Sequence, residues 1–379
     1  MRTAAALVLL TVVGCGSGDE AEMLRARMSL VQTLSGSDTV GYARATEPRS
    51  FDFPADHGPH ADFRTEWWYV TGNLTSDSGR DFGFQFTIFR NALSPTAPES
   101  PSAWATNQAY MGHFTVTDVA GGRFLAHERF ARGAAGLAGA EAKPLRVWLE
   151  DWTLGAPAAS AFPLRLEARD SGVELLLELA DGKRTVLQGD RGLSQKGPES
   201  GNASYYYSQT RLPAAGTLVL GADTLGVTGS AWLDREWSTS ALSEGQVGWD
   251  WIALQLDDGW DLMIYQLRRA DGSADPLSDG VLIDPEGRRV ELVWGSDVTM
   301  QSTGTWTSPI DAAVYPSGWR IRVPGRGWDI TVEPRIPNQE LDVSFRYWEG
   351  AVAVDGTGED GAAVRGRGYV ELTGYAGVG

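Results

Sequence analysis

Glu66–Phe84 reads EWWYVTGNLTSDSGRDFGF, and Gly248–Ile264 reads GWDWIALQLDDGWDLMI. Laid over one another with a short gap, Trp67 meets Trp249, Tyr69 meets Trp251, Val70 meets Ile252 and Leu74 meets Leu256. Beyond the gap, Gly79, Asp81 and Phe82 meet Gly259, Asp261 and Leu262. Each copy reads as an aromatic strand, a turn and a second apolar strand. The match predicts one barrel-like unit in each half of the chain, the second a duplicate of the first. Generic hairpin likeness is the plainer alternative.

Working outward, apolar segments punctuated by Gly, Asp and Pro recur about every ten residues beyond Ser50, as antiparallel sheets require. Asp181-Gly182, Asp258-Gly259 and Asp271-Gly272 are candidate tight hairpin turns. The 46 glycines and 15 tryptophans fit a turn-rich all-β protein and disfavour a helix bundle. A boundary fits PAAGTLVLGAD at Pro213–Asp223, giving domains over 50–222 and 223–379.

At the other end, Arg2 precedes an apolar run from Ala4 to Val13, too short to span a bilayer, which leads into Gly14-Cys15. A small residue before cysteine resembles the lipobox of bacterial lipoproteins. Residues 1–14 are then a signal peptide, Cys15 the lipidation site and 15–49 a tether. The protein is expected to be exported and anchored on the periplasmic side, at the outer membrane. Ordinary cleavage beside an incidental cysteine is the alternative. Cys15 is the only cysteine, so no disulfide supports the fold and the core alone must do so. A net charge of −17 argues against a nucleic-acid partner.

The sequence has four histidines, no HExxH and no cysteine pair, so no tetrahedral zinc pattern is present. Asp56, His57 and His60 in DHGPH are a weak metal candidate, and no metal is expected. Neither a nucleophile elbow nor a phosphate loop occurs in a strand-to-helix context, which disfavours a serine esterase or a nucleotide enzyme. The informative clusters set acids beside indoles: Glu66-Trp67-Trp68-Tyr69, Asp234-Arg235-Glu236-Trp237, Asp250-Trp251 and Tyr347-Trp348-Glu349. Along a strand Glu66 shares a face with Trp68, and Trp67 with Tyr69. A carboxyl pressed against aromatic walls keeps its proton and can deliver it to an alkene, whose cation the rings stabilise. The opposing possibility is that Asp234 or Glu236 pairs with Arg235 or Arg268 to lock strands together. Candidate catalytic residues are Asp234 or Glu236 as acid, with Trp237 and Tyr265 at the reacting end. Candidate ligand-binding residues are Glu66, Trp68, Gln85, Tyr110, His113, Asp250 and Trp251.

Several long motifs resemble the AttH-like and carotenoid 1,2-hydratase (hydroxyneurosporene synthase) proteins, among them predicted secreted hydrolases. They are FPADHGPHADFRTEWWYVTGNL, SYYYSQTRL at Ser204–Leu212, GSAWLDREWSTS at Gly229–Ser240, GWDWIALQLDDG at Gly248–Gly259, NQELDVSFRYWEGAV at Asn338–Val352 and GRGYVELTGY at Gly366–Tyr375. The resemblance implies two tandem lipocalin-like β-barrels. It also implies acid-assisted, cofactor-independent chemistry on a hydrophobic isoprenoid or lipid-like molecule. The hydratases' DH-x-W pattern maps onto Asp234–Trp237, with Arg235 where they carry histidine and Leu267 where they carry an acid. The AttH-like branch implies work beside an ABC transport system. Two functions stay open: a hydratase or hydrolase-like enzyme, and a non-catalytic carrier of a hydrophobic ligand near the membrane.

Overall fold

The computed structural model describes residues 39–376 except 159, 240 and 241; Cys15, the expected signal peptide and most of the tether lie outside the described residues. No α-helix occurs among them, only three short 3-10 turns, so the all-β expectation holds.

The decisive strand is β1 (Thr65–Ser76), whose two faces are both buried. Trp68, Val70 and Leu74 enter one hydrophobic core, whereas Trp67 and Tyr69 join a cluster shared with the second half. β1 turns at Gly79, whose φ of 81° suits glycine, into β2 (Asp81–Ala92). β3 (Gln108–Asp118) and β4 (Arg123–Arg132) continue the meander. Shorter strands follow: β5 (Ala138–Ala142), β6 (Leu145–Leu149), β7 (Trp152–Gly155), β8 (Leu164–Asp170) and β9 (Val173–Leu179). β10 (Val186–Leu187) and β11 (Leu193–Gln195) both pair with β12 (Ala203–Leu220), which turns back as β13 (Asp223–Ser238). The order is β4-β3-β2-β1-β13-β12-β9-β8-β7-β6-β5. The sheet curls back on itself, since Arg129 of edge strand β4 pairs with Asp151 just before β7 and with Asp170 at the end of β8.

The second sheet contains β14 (Gln246–Leu256), β15 (Asp261–Arg269), β16 (Asp279–Ile283), β17 (Arg289–Leu292) and β18 (Thr299–Ser302). After a separate ribbon of β19 (Thr305–Thr307) and β20 (Val314–Pro316) come β21 (Trp319–Val323), β22 (Trp328–Pro334) and β23 (Glu340–Leu341). β24 (Tyr347–Thr357) and β25 (Ala363–Leu372) complete it. The order is β17-β16-β15-β14-β25-β24-β22-β21-β18. Position by position, β14, β15, β25 and β24 therefore repeat β1, β2, β13 and β12. The registers repeat as well: Tyr69 lies opposite Asp234, and Trp251 opposite Glu371. The match of Trp67 with Trp249 is thus a match of strand positions, as a duplication requires.

Two expectations are corrected. Pro213–Asp223 is no domain boundary: it runs from β12 to the start of β13, a single hairpin in the first sheet. The sheets divide after Ser238, so Asp234 and Glu236 belong to the first domain. Asp181-Gly182 is not a tight hairpin turn either, because Gly182 packs against the Arg211 backbone where the chain passes from β9 to β10 along β12. Asp258-Gly259 does turn β14 into β15, with Gly259 at φ 90°.

Each sheet wraps its own packed interior, and the two meet through their outward faces. The contact repeats the duplication. Asn73 donates to the Gly368 carbonyl at 3.0 Å, and its counterpart Gln255 donates to the Ala231 carbonyl at 3.1 Å. Asp81 pairs with Arg335 and Arg367 of the second domain, and its counterpart Asp261 pairs with Lys183 and Arg211 of the first. A pseudo-two-fold axis runs through this contact.

Candidate active site between the barrels

An aromatic cavity opens along that axis, with about 910 Å³ of empty space when its mouth is included. Trp67, Tyr69 and Phe89 line it from the first domain, and Trp249, Trp251 and Leu267 stand in the equivalent positions of the second. Tyr206 of β12 faces its counterpart Tyr347 of β24. Asp234 of β13 faces its counterpart Glu371 of β25. The pairing follows from alternation: residues two apart on these strands point outward from each barrel, into the contact.

Among the described residues Asp234 has no cationic partner. Trp232 Nε1 and the Ser208 hydroxyl donate to its Oδ1 at 2.7 and 2.5 Å, and the Tyr206 hydroxyl donates to Oδ2 at 2.5 Å. Burial pushes its pKa up to about 7; those three donors restrain the rise and Glu236 adds to it. Glu371 accepts one hydrogen bond, from Trp249 Nε1 at 3.0 Å. Burial, with the negative charges of Asp234 and Glu236, raises it to about 8. Beside it across the ladder, Glu349 is fully buried and accepts from the Tyr69 hydroxyl at 2.5 Å, and burial holds it well above the carboxylate range. Glu236 lies 3.4 Å from Lys196 Nζ. Two carboxyls that titrate near neutrality, one from each domain, thus share one aromatic chamber, which is the equipment for moving protons to and from an apolar molecule.

Of the expected site residues, Asp234, Glu236, Tyr265 and Trp251 line the cavity. The others lie elsewhere. Glu66 and Trp68 point into the first barrel, where Glu66 is buried between Arg90 and Arg235, and the Arg235 guanidinium lies 4.0 Å from the Trp68 ring centroid. Arg235 therefore pairs on the opposite face from Asp234, which rules out the strand-locking pair with Asp234 or Glu236. It also holds the 57–60 turn, donating to the Gly58 carbonyl at 2.6 Å. Trp237 shares that face and stacks on His60 at 3.6 Å. Tyr110 belongs to the first core. Gln85 is on the outward face of β2 beyond the cavity, bonded to Thr87 at 2.5 Å. His113 sits one shell behind, its Nδ1 2.8 Å from the Tyr347 hydroxyl. Asp250 faces into the second barrel, bound by Arg268 at 3.0 Å and by the Tyr375 hydroxyl.

Sequence reasoning missed Glu371, Tyr206 and Lys196. Extending the duplication to the closing strands exposes the first: GSAWLDREW at Gly229–Trp237 laid over GRGYVELTG at Gly366–Gly374 sets Asp234 on Glu371. The same extension sets Tyr206 on Tyr347. Lys196, in the loop after β11, has no counterpart and no such signal.

Fold and cavity define a class: two lipocalin-like barrels with an acid-bearing chamber at their contact. The chain belongs to the AttH-like family, whose model matches residues 44–375. It is similar to a crystal structure assigned to AttH from Nitrosomonas europaea, at 36% identity and a TM-score of 0.77 over 88% of this chain and 100% of that one. It shares its fold with kievitone hydratase from Nectria haematococca, at 13% identity and a TM-score of 0.66 over 88% and 95% of the two chains. CghA, at 14% identity and a TM-score of 0.54, covers 93% of this chain and 98% of its own. No curated protein matches the sequence.

Proposed function

We propose that the interdomain cavity adds water, by acid-assisted hydration or hydrolysis and without a cofactor, to a hydrophobic isoprenoid or lipid-like substrate. The observation that carries this reading is the pairing of Asp234 and Glu371 across one aromatic chamber, with pKa values of about 7 and about 8. Glu371, the weaker acid with the single donor, gives its proton to one alkene carbon. Asp234, whose oxygens take three donors that favour the ionised form, accepts a proton from the water whose oxygen bonds the other carbon. Solvent then returns the proton from Asp234 to Glu371. The faces of Trp67, Tyr69, Trp249 and Trp251 stabilise the cation in between. A hydratase among the proteins that share the fold is in keeping with this chemistry.

The test is incubation with a membrane lipid extract in heavy-oxygen water, followed by mass spectrometry of the retained and released molecules. A product that has gained one labelled water in the presence of wild type, and not of Asp234→Asn, is expected. A retained ligand with no gain of water would leave a carrier that hands its ligand to an ABC transport system.

The lipid anchor on Cys15 belongs to the same reading, since it holds the cavity beside a lipid source. Labelling with a fatty-acid analogue should mark the wild type and not Cys15→Ser. Equal labelling of the two would remove the anchor.

A further inference from the structure

We infer that Lys196 and Glu236 bind a hydroxyl group of the substrate, about one strand repeat away from the carbon that reacts. This rests on the reading of Asp234 and Glu371 as the reacting groups, and it names the substrate class: an alkene that also carries a hydroxyl.

Lys196 is held in place by its own loop. Its amide donates to the Asn202 carbonyl at 2.9 Å, and its carbonyl accepts from the Gln246 side chain at 2.9 Å. Its ammonium stands 4.4 Å from the Tyr265 ring centroid and 5.4 Å from that of Tyr206. Among the described residues its one ion pair is with Glu236, at 3.4 Å, and the two side chains are only 13% and 10% exposed. Burial works against the ammonium charge, but Glu236 and Tyr265 outweigh it, so Lys196 stays charged at neutral pH. An ammonium has three N–H donors and a carboxylate about four acceptor positions, so one long contact leaves most of both unused. Polar groups withdrawn from water without partners are costly, and a ligand that completes them is favoured. A hydroxyl does so on both sides, accepting from Nζ and donating to the carboxylate. An ether oxygen only accepts, and a hydrocarbon does neither.

The spacing follows from the strand. Glu236 and Asp234 are two residues apart on the same face of β13, about 6.6–6.8 Å along it. The pseudo-two-fold axis offers no second anchor. The counterpart of Glu236 is Thr373, whose hydroxyl already serves the Trp249 backbone, and nothing matches Lys196. The substrate is therefore bound in one direction, although the walls of the chamber are nearly symmetric.

Tryptophan fluorescence quenching tests this on the intact protein, because Trp67, Trp249 and Trp251 line the chamber. The probes are citronellol, its methyl ether and the parent hydrocarbon 2,6-dimethyl-2-octene. Wild type should bind the alcohol about tenfold or more tighter than the ether, the size expected of hydrogen bonds to charged groups. Lys196→Met should bring the two affinities together, and Lys196→Arg, which keeps a donor, should restore much of the difference. Equal affinities in wild type, a preference that survives in Lys196→Met, or no saturable quench by any probe would each overturn the inference. Asp234→Asn should keep the preference. If the preference is present but wild type adds no water to the bound alcohol, the catalytic reading falls and the binding assignment stands.

Discussion

Asp234→Asn is expected to lower turnover by about 10²–10⁴-fold, the usual contribution of a positioned acid or base, while the protein stays folded. Asparagine keeps the shape and can still accept from Trp232 and Ser208, but it cannot take a proton from water. The pH profile of the wild type carries the same information. Activity should rise as Asp234 ionises near about 7 and fall as Glu371 ionises near about 8, a narrow bell. Glu371→Gln should abolish activity to a similar degree. Stability moves in a direction that a purely structural carboxylate would not give. Between its ordinary value of 3.8 and about 7, the folded protein keeps a proton on Asp234 that the unfolded chain releases. That contribution is complete below the lower value and is lost as pH rises through the upper one. The melting temperature of Asp234→Asn should therefore gain on that of wild type between about pH 5 and pH 8. A difference between the two melting temperatures that stays constant over this range would show that Asp234 does not titrate there, and would end its role as a neutral-range proton carrier.

Glu66→Ala should cost about 3–5 kcal/mol, the scale for breaking a buried ion pair. Glu66 is 0% exposed, Arg90 and Arg235 are 1% exposed, and removing the acid leaves two buried guanidiniums facing one another's charge. Burial alone would raise the Glu66 pKa. Arg90, His60 and Arg235 overcome this and hold it well below the usual range, so the carboxylate is charged at neutral pH. A melting temperature lower by about 10 °C is expected, with ligand affinity in the cavity unchanged below the transition. Glu66→Gln, which preserves the shape but not the charge, should lose most of the same stability. Full stability in both would mean that the two arginines find other partners. Loss of ligand binding at full stability would return Glu66 to the site.

These two acids show what the sequence could and could not convey. Aromatic strands with Asp-Gly turns were legible, and so was the repeat of EWWY in GWDW, because side-chain alternation and turn chemistry are local properties. The face assignment was not. Alternation separates Glu66 and Trp68 from Trp67 and Tyr69, but β1 is buried on both sides, so hydrophobicity cannot say which side is a barrel interior and which a second domain. For that reason the sequence alone does not show that Trp67 and Tyr69, and not Glu66 and Trp68, line the cavity. Pro213–Asp223 reads as a domain boundary in the sequence because small residues, a proline and two glycines suit a break between domains as well as a long hairpin running close to its neighbours. Glu371 was hidden in GRGYVELTGY, where a single acid in a strand carries no signal until the strand is set against β13.

The interiors of the two barrels hold no part of the cavity; they are filled by Trp68, Phe84, Phe86 and Trp152 in one, and by Ile252, Trp319 and Trp348 in the other. A site in the mouth of a single barrel would have to be hollowed out of the core that stabilises it, at about 2–5 kcal/mol for each large side chain truncated. Here the packed cores and the candidate chamber lie on different sides of the same strands. Replacing Phe89, Leu267 or Tyr265 reshapes the chamber without opening a void in either barrel core, so the lining of the seam can change while both barrels keep folding as before.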